Sequence, residues 1–235
     1  MLVFVAAERR ELEGLLVHVD EVKKLRWPLD FARQGLLNGA QIVMVANGPG
    51  PKLAGEAVDV VRQNKEMDSL VSIGFCGALK PSLAACDIFV ASEVAGIAPA
   101  LTLASTPASA RPFKTGKLLS IDRVVSTAVE KAQLGQAGAD AVEMEAAAVA
   151  LRAQKYNIPF YAVRVVTDTV AENFPLDFNR MRSQAGNNGG RFSRGKIIAA
   201  ALRSPATVFP ELLKLNERTK RASEALGDFL ADARF

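Results

Sequence analysis

The stretch from Val142 to Asp168, VEMEAAAVALRAQKYNIPFYAVRVVTD, constrains this chain more than any other. Glu143 and Glu145 open a run of small residues that reads as a helix ending near Asn157-Ile158-Pro159. An apolar, β-branched run from Phe160 to Val166 follows, with the pattern of a buried strand, and closes on Thr167-Asp168. The order is therefore carboxylate, helix, turn, buried strand, carboxylate. That order brings acids from a helix start and a strand end towards one place. In α/β sheets ligands sit outside the carboxyl ends of the strands, which is where Asp168 falls.

The 235 residues, 49% hydrophobic and 23% charged, suit one large α/β domain with room for an appendage. No uncharged run reaches the length of a membrane-spanning helix. The first residues, MLVFVAAERRE, lack the basic leader and small-residue cleavage site of a signal peptide. Cys76 and Cys86 lie in an apolar stretch and read as buried, reduced thiols of a cytoplasmic protein. With His18 the only histidine, no zinc-type cluster is expected. The net charge of +4 resides in the last segment, where residues 191–235 hold nine Lys/Arg against five Asp/Glu. A basic tail can face nucleic acid or an anionic membrane. Its acids are interspersed, however, and its aromatics few, which favours a solvated helical face.

Taken in order, Leu2–Ala7 reads as a first buried strand, followed by Glu8, Arg9, Arg10, Glu11 and an amphipathic helix over Leu12–Val19. Gln41–Ala46 reads as a second strand. Asn47-Gly48-Pro49-Gly50 and a helix over Lys52–Asn64 come next. A glycine turn between strand and helix lets backbone N–H groups approach a polar ligand. The dinucleotide fingerprint would need a further glycine where Leu53 stands, so that reading fails. Ser69–Ile73 reads as a strand ending in Gly74-Phe75-Cys76-Gly77-Ala78, Leu79–Ala85 as a loop, and Asp87–Ala95 as a fourth strand. Residues 96–117 read as an irregular loop with the character of a lid, Lys117–Val125 as a strand and Ser126–Leu134 as a helix. Residues 169–190, with NNGG at Asn187–Gly190, read as a loop. Helices are expected over Lys196–Arg203 and over Pro210–Leu230, the latter amphipathic through Leu212, Leu213, Leu215, Ala222, Leu226 and Phe229.

With these pieces in place, the chain resembles the nucleoside phosphorylase/nucleosidase superfamily, in layout its methylthioadenosine/S-adenosylhomocysteine nucleosidase branch. The resemblance runs from about Leu2 to Val170. It rests on VEMEAAA at Val142–Ala148 followed by VRVVTD at Val163–Asp168, with NGPG at Asn47–Gly50, GFCGAL at Gly74–Leu79 and DIFVASEV at Asp87–Val94. It implies a single three-layer α/β domain over residues 1–190, with a central mixed, partly barrel-like sheet flanked by helices. Residues 191–235 would form a basic helical extension packed on the same domain. The segment Ala199–Ala225 is similar to the ending of hopanoid-associated phosphorylase-like proteins.

The family cleaves an N-glycosidic bond through an oxocarbenium-like transition state. The leaving purine needs a proton, the positive sugar needs oriented contacts, and the nucleophile must sit on the far face. The resemblance assigns Asp168 as the acid to the base and Thr167 as its orienting neighbour. It assigns Glu145 to the ribose hydroxyls and Met144 to the sugar face. Glu143, two positions from Glu145 and so pointing elsewhere on a helix, is given a secondary part. Glu11 matches the water activator, although Glu8 stands where the family has methionine, so a slip in alignment would make Glu8 the base. Gly48, Gly50, Cys76 and Gly77 are the backbone-approach positions. Val124, beside Val125, and Phe75 are the candidate base walls, and Arg164 is expected to buttress a carboxylate or bind an anion.

Phosphorylases of the family carry an arginine before the second glycine loop and a serine within it. Ser72 and Phe75 occupy those positions here, which favours water over phosphate as nucleophile. A phosphate-dependent purine nucleoside phosphorylase is the alternative, in which phosphate is co-substrate. A non-catalytic nucleoside-binding protein and an interaction protein working through its basic tail are the competitors from other classes. No metal or organic cofactor is implied. The expected partners are a small-molecule nucleoside and a second copy of the chain, not nucleic acid. If the tail similarity is meaningful, an adenosyl-lipid is a possible substrate and the tail lies near a membrane.

Overall fold

A computed structural model describes residues 1–96, 102–174, 179 and 205–235. The described elements are β1 (Leu2–Ala6), α1 (Arg9–Leu16), β2 (Val19–Lys24), β3 (Phe31–Leu37), β4 (Ala40–Ala46), α2 (Pro51–Asn64) and β5 (Ser69–Ala78). They continue as β6 (Ile88–Ala95), β7 (Thr102–Leu103), β8 (Lys114–Ser120), α3 (Ala128–Gln136), β9 (Ala141–Glu143), α4 (Ala146–Tyr156), β10 (Phe160–Asp168) and α5 (Pro205–Asp232).

The strands form one mixed sheet that closes on itself. β5 pairs with β10, β10 with β6, β6 with β8, β8 with β9, and β9 returns to β5. From β5 the sheet also extends outward through β1, β4, β3 and β2. The architecture is thus the partly barrel-like α/β fold that the resemblance implies. Closure pairs both edges of the five ring strands, and β2 is left as the edge of the outward extension. β1, β4, β5 and β10 run parallel to one another, so the chain after β1, the glycine turn after β4 and the end of β10 lie towards one rim.

Two buried clusters flank the sheet. One joins β1, β4 and β5 to α2 and α4 through Val3, Val43, Val58, Val61, Leu70 and Val149. The other joins the opposite face to α1 and α5 through Phe4, Leu12, Leu15, Leu226 and Phe229. The last helix therefore buries its apolar face in the core while Lys214, Lys220, Arg221 and Glu224 stay exposed on the other. Burying a side chain such as Leu226 or Phe229 contributes about 1.5–3 kcal/mol. Helices α1 and α5 cross in near backbone contact: a Cβ on Gly14 would lie 1.8 Å from the Ser223 carbonyl oxygen. The Ser223 hydroxyl bridges them, donating to Arg10 O at 2.7 Å and accepting from Gly14 N–H at 3.0 Å.

Several sequence expectations shift. The first helix begins at Arg9 and ends at Leu16, because Val19 belongs to β2. The hairpin β2–β3 escapes sequence reading: β2 is VDEVKK, exposed after its first residue, with no apolar alternation to reveal it. Gly74–Ala78 is not a loop after a strand but the second half of β5. The strand placed at Lys117–Val125 runs from Lys114 to Ser120, and the chain from Ile121 to Thr127 carries no strand. Glu143 ends strand β9 and does not open a helix. Cys76 is buried but Cys86 is only partly so. The helix expected over residues 196–203, the loop over 187–190 and part of the 96–117 lid lie outside the described residues.

Among the described residues no helix is long and apolar enough to cross a membrane. Nor does any group of three or more His, Cys, Asp or Glu among them have the arrangement to hold a metal ion.

Candidate active site

The second half of β5 is the axis of the site. Its backbone touches an acid from each side. Phe75 N–H donates to Glu11 Oε1 at 3.0 Å, and Gly77 lies opposite Asp168 in the β5–β10 register. Both glycines of GFCG make room for a carboxylate. A Cβ on Gly74 would meet Glu11 Oε1 at 2.6 Å, and one on Gly77 would meet Asp168 Oδ2 at 2.8 Å.

Glu11 lies in the first turn of α1, and its side chain turns back across the helix start. Its Oε2 accepts from Ala7 N–H and Glu8 N–H, both at 2.8 Å. A glutamate three residues into a helix makes this return contact in a capping box. Here the carboxylate also reaches across to β5. Burial pushes its pKa above the usual carboxylate range, and the backbone bonds to Glu8 and Phe75 pull part of the way back. Glu8, the alternative base, turns away and pairs with Arg10 at 2.6 Å near the surface.

Asp168 closes β10 just after an irregularity in the β5–β10 register between Val166 and Asp168. A bulge of this kind re-aims side chains. Thr167 and Asp168 are both buried there, with the Thr167 Oγ1 2.9 Å from Asp168 Oδ1 and 3.3 Å from Cys76 O. The buried Lys131 ammonium stands 2.5 Å from Asp168 Oδ2. Burial raises the Asp168 pKa and outweighs the opposing effects of Lys131 and Thr167. The same burial pushes the Cys76 thiol up, so it stays neutral.

Glu145 is the residue just before α4 and is partly buried. Its Oε1 accepts from Gly50 N–H at 2.6 Å, which ties the VEME segment to the NGPG turn. Burial, then the charges of Glu143 and Glu11, push its pKa up to about 8. Gly50 has φ +102°, a conformation that favours glycine, and this directs its N–H at the carboxyl group.

Glu143 faces inward. Its oxygens accept from Ser120 Oγ, from Arg164 Nη2 at 2.6 Å, and from the N–H groups of Glu145 and Ala146 at 2.9 Å. Arg164 also donates to Ser72 Oγ and Ser72 O, both at 2.7 Å. Burial works against the guanidinium charge, but Glu143 outweighs it and Arg164 stays charged. Of its two expected roles, Arg164 takes that of carboxylate buttress. Glu143 differs from Glu145 because a strand end and a turn separate their directions, not because of helical spacing.

Gly48 is buried in the turn after β4, where its N–H donates to Ala7 O at 2.8 Å. Met144 and Phe75 are partly buried, and Cys76 is buried between Glu11 and Asp168 on β5. Val124, partly buried, lies in the connection between β8 and α3, its N–H held by Asn179 Oδ1 at 2.8 Å. Sequence reasoning missed Lys131, Ser120, Glu172 and Arg218. Arg218 on α5 donates to Thr167 O at 3.0 Å and pairs with Glu172 at 2.9 Å, so the last helix braces the end of β10. None carries a local signal, because each gains its meaning from a partner distant in the chain.

The phosphorylase superfamily model matches residues 97–195. The methylthioadenosine/S-adenosylhomocysteine nucleosidase of Maridesulfovibrio salexigens is 26% identical over 198 residues, covering 72% of this chain and 86% of the relative. That of Colwellia psychrerythraea is 26% identical over 209 residues with the same coverages. Among solved structures, the enzyme of this name from S. pneumoniae, with a transition-state inhibitor, superposes with a TM-score of 0.70 at 19% identity, covering 98% of both chains. The Neisseria meningitidis enzyme, in complex with methylthio-immucillin-A, gives 0.71 at 20% identity over 98% of this chain and 96% of that one. In its motif order, in the match over residues 97–195 and in its closed-sheet fold, this chain is similar to the nucleoside phosphorylase/nucleosidase superfamily.

Proposed function

We propose that this protein hydrolyses the N-glycosidic bond of an adenosine-type nucleoside. The observation that carries the reading is the placement of three acids around one half-strand, each with its pKa raised: Glu11, Glu145 and Asp168. Perturbed carboxyl groups around a glycine-lined strand are what proton transfer at neutral pH requires.

Asp168, protonated, gives its proton to the purine as the carbon–nitrogen bond breaks, and the bonding pair leaves with the base. Thr167 serves both states of the acid. It donates to Oδ1 of the carboxylate. It accepts from a protonated Oδ1 and then turns its own hydrogen to Cys76 O. Glu145 accepts the ribose hydroxyls and supplies negative charge near the cationic sugar, with Met144 against the sugar face. Glu11 takes a proton from the water whose oxygen bonds to the sugar carbon. Gly48, Gly50, Cys76 and Gly77 offer close backbone, and Phe75 and Val124 the walls of the base. Glu143 and Arg164 hold the segment that presents Glu145.

Water is favoured over phosphate because the arginines the sequence offers for an anion are engaged. Arg9 pairs with Glu13, Arg10 with Glu8, and Arg164 with Glu143. The relatives' names point to methylthioadenosine and adenosylhomocysteine as the 5′-modified substrates to try first. The tail similarity adds an adenosyl-hopanoid. Residues 1–190 as the nucleoside domain, residues 191–235 as its packed extension, a homodimer and a cytoplasmic location complete the proposal.

The test is release of free purine from adenosine, inosine, methylthioadenosine, adenosylhomocysteine and an adenosyl-lipid mimic, with and without phosphate. Phosphate-independent release that Asp168→Asn abolishes supports the reading. Release that requires phosphate and yields a sugar phosphate replaces it with the phosphorylase. Binding without release from any member of the panel replaces it with a nucleoside-binding protein.

A further inference from the structure

Lys131 belongs to none of the motifs, yet it is fully buried and sits against the proposed acid. It projects from α3. Its Nζ lies 2.5 Å from Asp168 Oδ2, donates to Thr169 O and Glu172 O at 3.0 Å each, and stands 5.2 Å from the centre of the Phe174 ring. An ammonium has three donors and no acceptor. Two are used on carbonyls, and the charge pairs with the Asp168 carboxyl group. We propose that Lys131 is a positioning residue for the proton-donating Asp168, steering Oδ2 while Thr167 holds Oδ1. This rests on the reading of Asp168 as the acid.

A purely structural role is the competing explanation, since Lys131 also ties α3 to the chain after β10. That junction has other bonds, however. Asn173 Oδ1 accepts from Ala128 N–H at 2.8 Å, and Phe174 N–H donates to Ser126 O at 2.9 Å. A neutral amide could serve the two carbonyls. Only a cation adds attraction for the ionised acid, and burying one is costly without a partner.

The charge has a second consequence. Burial drives Asp168 towards permanent protonation, and Lys131 opposes it. The other groups facing this point are Glu172, which opposes Lys131 but is itself paired with Arg218, and the neutral Cys76 thiol. Beyond Cys76 lies the Glu143–Arg164 pair. Activity requires protonated Asp168, so the rate falls as pH rises through its pKa. Removing the cation raises that pKa and moves the basic limb of the pH profile upward.

The experiment compares Lys131→Gln and Lys131→Arg with the wild type. It measures purine release across pH and titrates the Asp168 carboxyl carbon by 13C NMR. Lys131→Gln is expected to lower kcat on the order of 10–100-fold with a much smaller change in KM. It is also expected to raise both the basic limb and the NMR midpoint by about one pH unit or more. Lys131→Arg is expected to keep both within about half a unit, because the charge is retained. An unmoved limb and midpoint in Lys131→Gln would overturn the proposal and leave Lys131 a structural tie. If Lys131→Gln does not fold, a shifted midpoint in a folded Lys131→Arg overturns it and an unshifted one supports it. If the wild type releases no purine, the hydrolase reading fails on its own, and the NMR midpoints still decide whether Lys131 governs Asp168.

Discussion

Glu11 and Asp168 flank the same half of β5 but are held by opposite means. Glu11 is gripped by backbone alone, through the N–H groups of Ala7, Glu8 and Phe75. Asp168 is gripped by side chains, the Thr167 hydroxyl and the Lys131 ammonium. Backbone donors are fixed and favour the ionised form, which suits a group meant to accept a proton. A hydroxyl can both donate and accept, so it suits a group that must hold a proton and give it up. The two ends of the site thus differ in the way the proposed base and acid should.

The sharpest way to break that comparison is Asp168→Asn. On the proposed reading it removes the proton donor and lowers kcat by about 10²–10⁴-fold with the fold intact. A variant that retains more than a tenth of wild-type kcat would remove Asp168 from the chemistry. Glu11→Gln should come next, at about 10²-fold, because the water attack loses its base while the backbone grip survives in part. The same change at Glu8 should leave kcat within about twofold, since that side chain faces outward; an equal loss at Glu8 would exchange the two assignments.

The glycines test each grip separately. Gly74→Ala should displace Glu11, and its φ of +149° adds backbone strain. Gly77→Ala should displace Asp168 instead. Each is expected to lower kcat by about tenfold or more. Gly74→Ala should perturb the acid limb of the pH profile and Gly77→Ala the basic limb. Both limbs are expected above the usual carboxylate range in the wild type, since burial raises both groups. Activity should fall on the acid side as Glu11 gains its proton and on the basic side as Asp168 loses its own. If both glycine variants moved the same limb, the division of labour would be wrong.

A smaller effect concerns the third acid. With its pKa pushed up to about 8, Glu145 is largely protonated at pH 7 before a nucleoside binds and, on the proposed reading, must ionise to accept two ribose hydroxyls well. Nucleoside binding at pH 7 should therefore release close to one proton, measurable by calorimetry in buffers of different ionisation enthalpy. Heats that do not depend on the buffer would leave Glu145 without the assigned role.

Arg164→Met tests the scaffold and not the chemistry. It leaves Glu143 buried without its cation and should cost about 3–5 kcal/mol of stability in a denaturant titration.

The sequence itself determined the fold class and named most residues of the candidate site. VEMEAAA, VRVVTD and the two glycine segments have a layout whose ingredients are local: a strand pattern, a turn and an acid at each end. Tertiary structure alone decided how each acid is held. Glu143 and Glu145 are two residues apart and chemically alike. One became an internal strut because Arg164, Ser120 and two N–H groups surround it. The other, held by a single N–H from Gly50, kept acceptor capacity for a ligand. Likewise Glu11 and Glu8 differ only in which way the start of α1 turns them. Lys131 and Arg218 showed nothing in the sequence, because a lysine or arginine on a helix usually solvates it. Their meaning came from Asp168 and Thr167, brought close by the closure of the sheet and the packing of α3 and α5. Burial and charge neighbourhood set the pKa of a carboxyl group, and both are properties of the folded chain that no local pattern encodes.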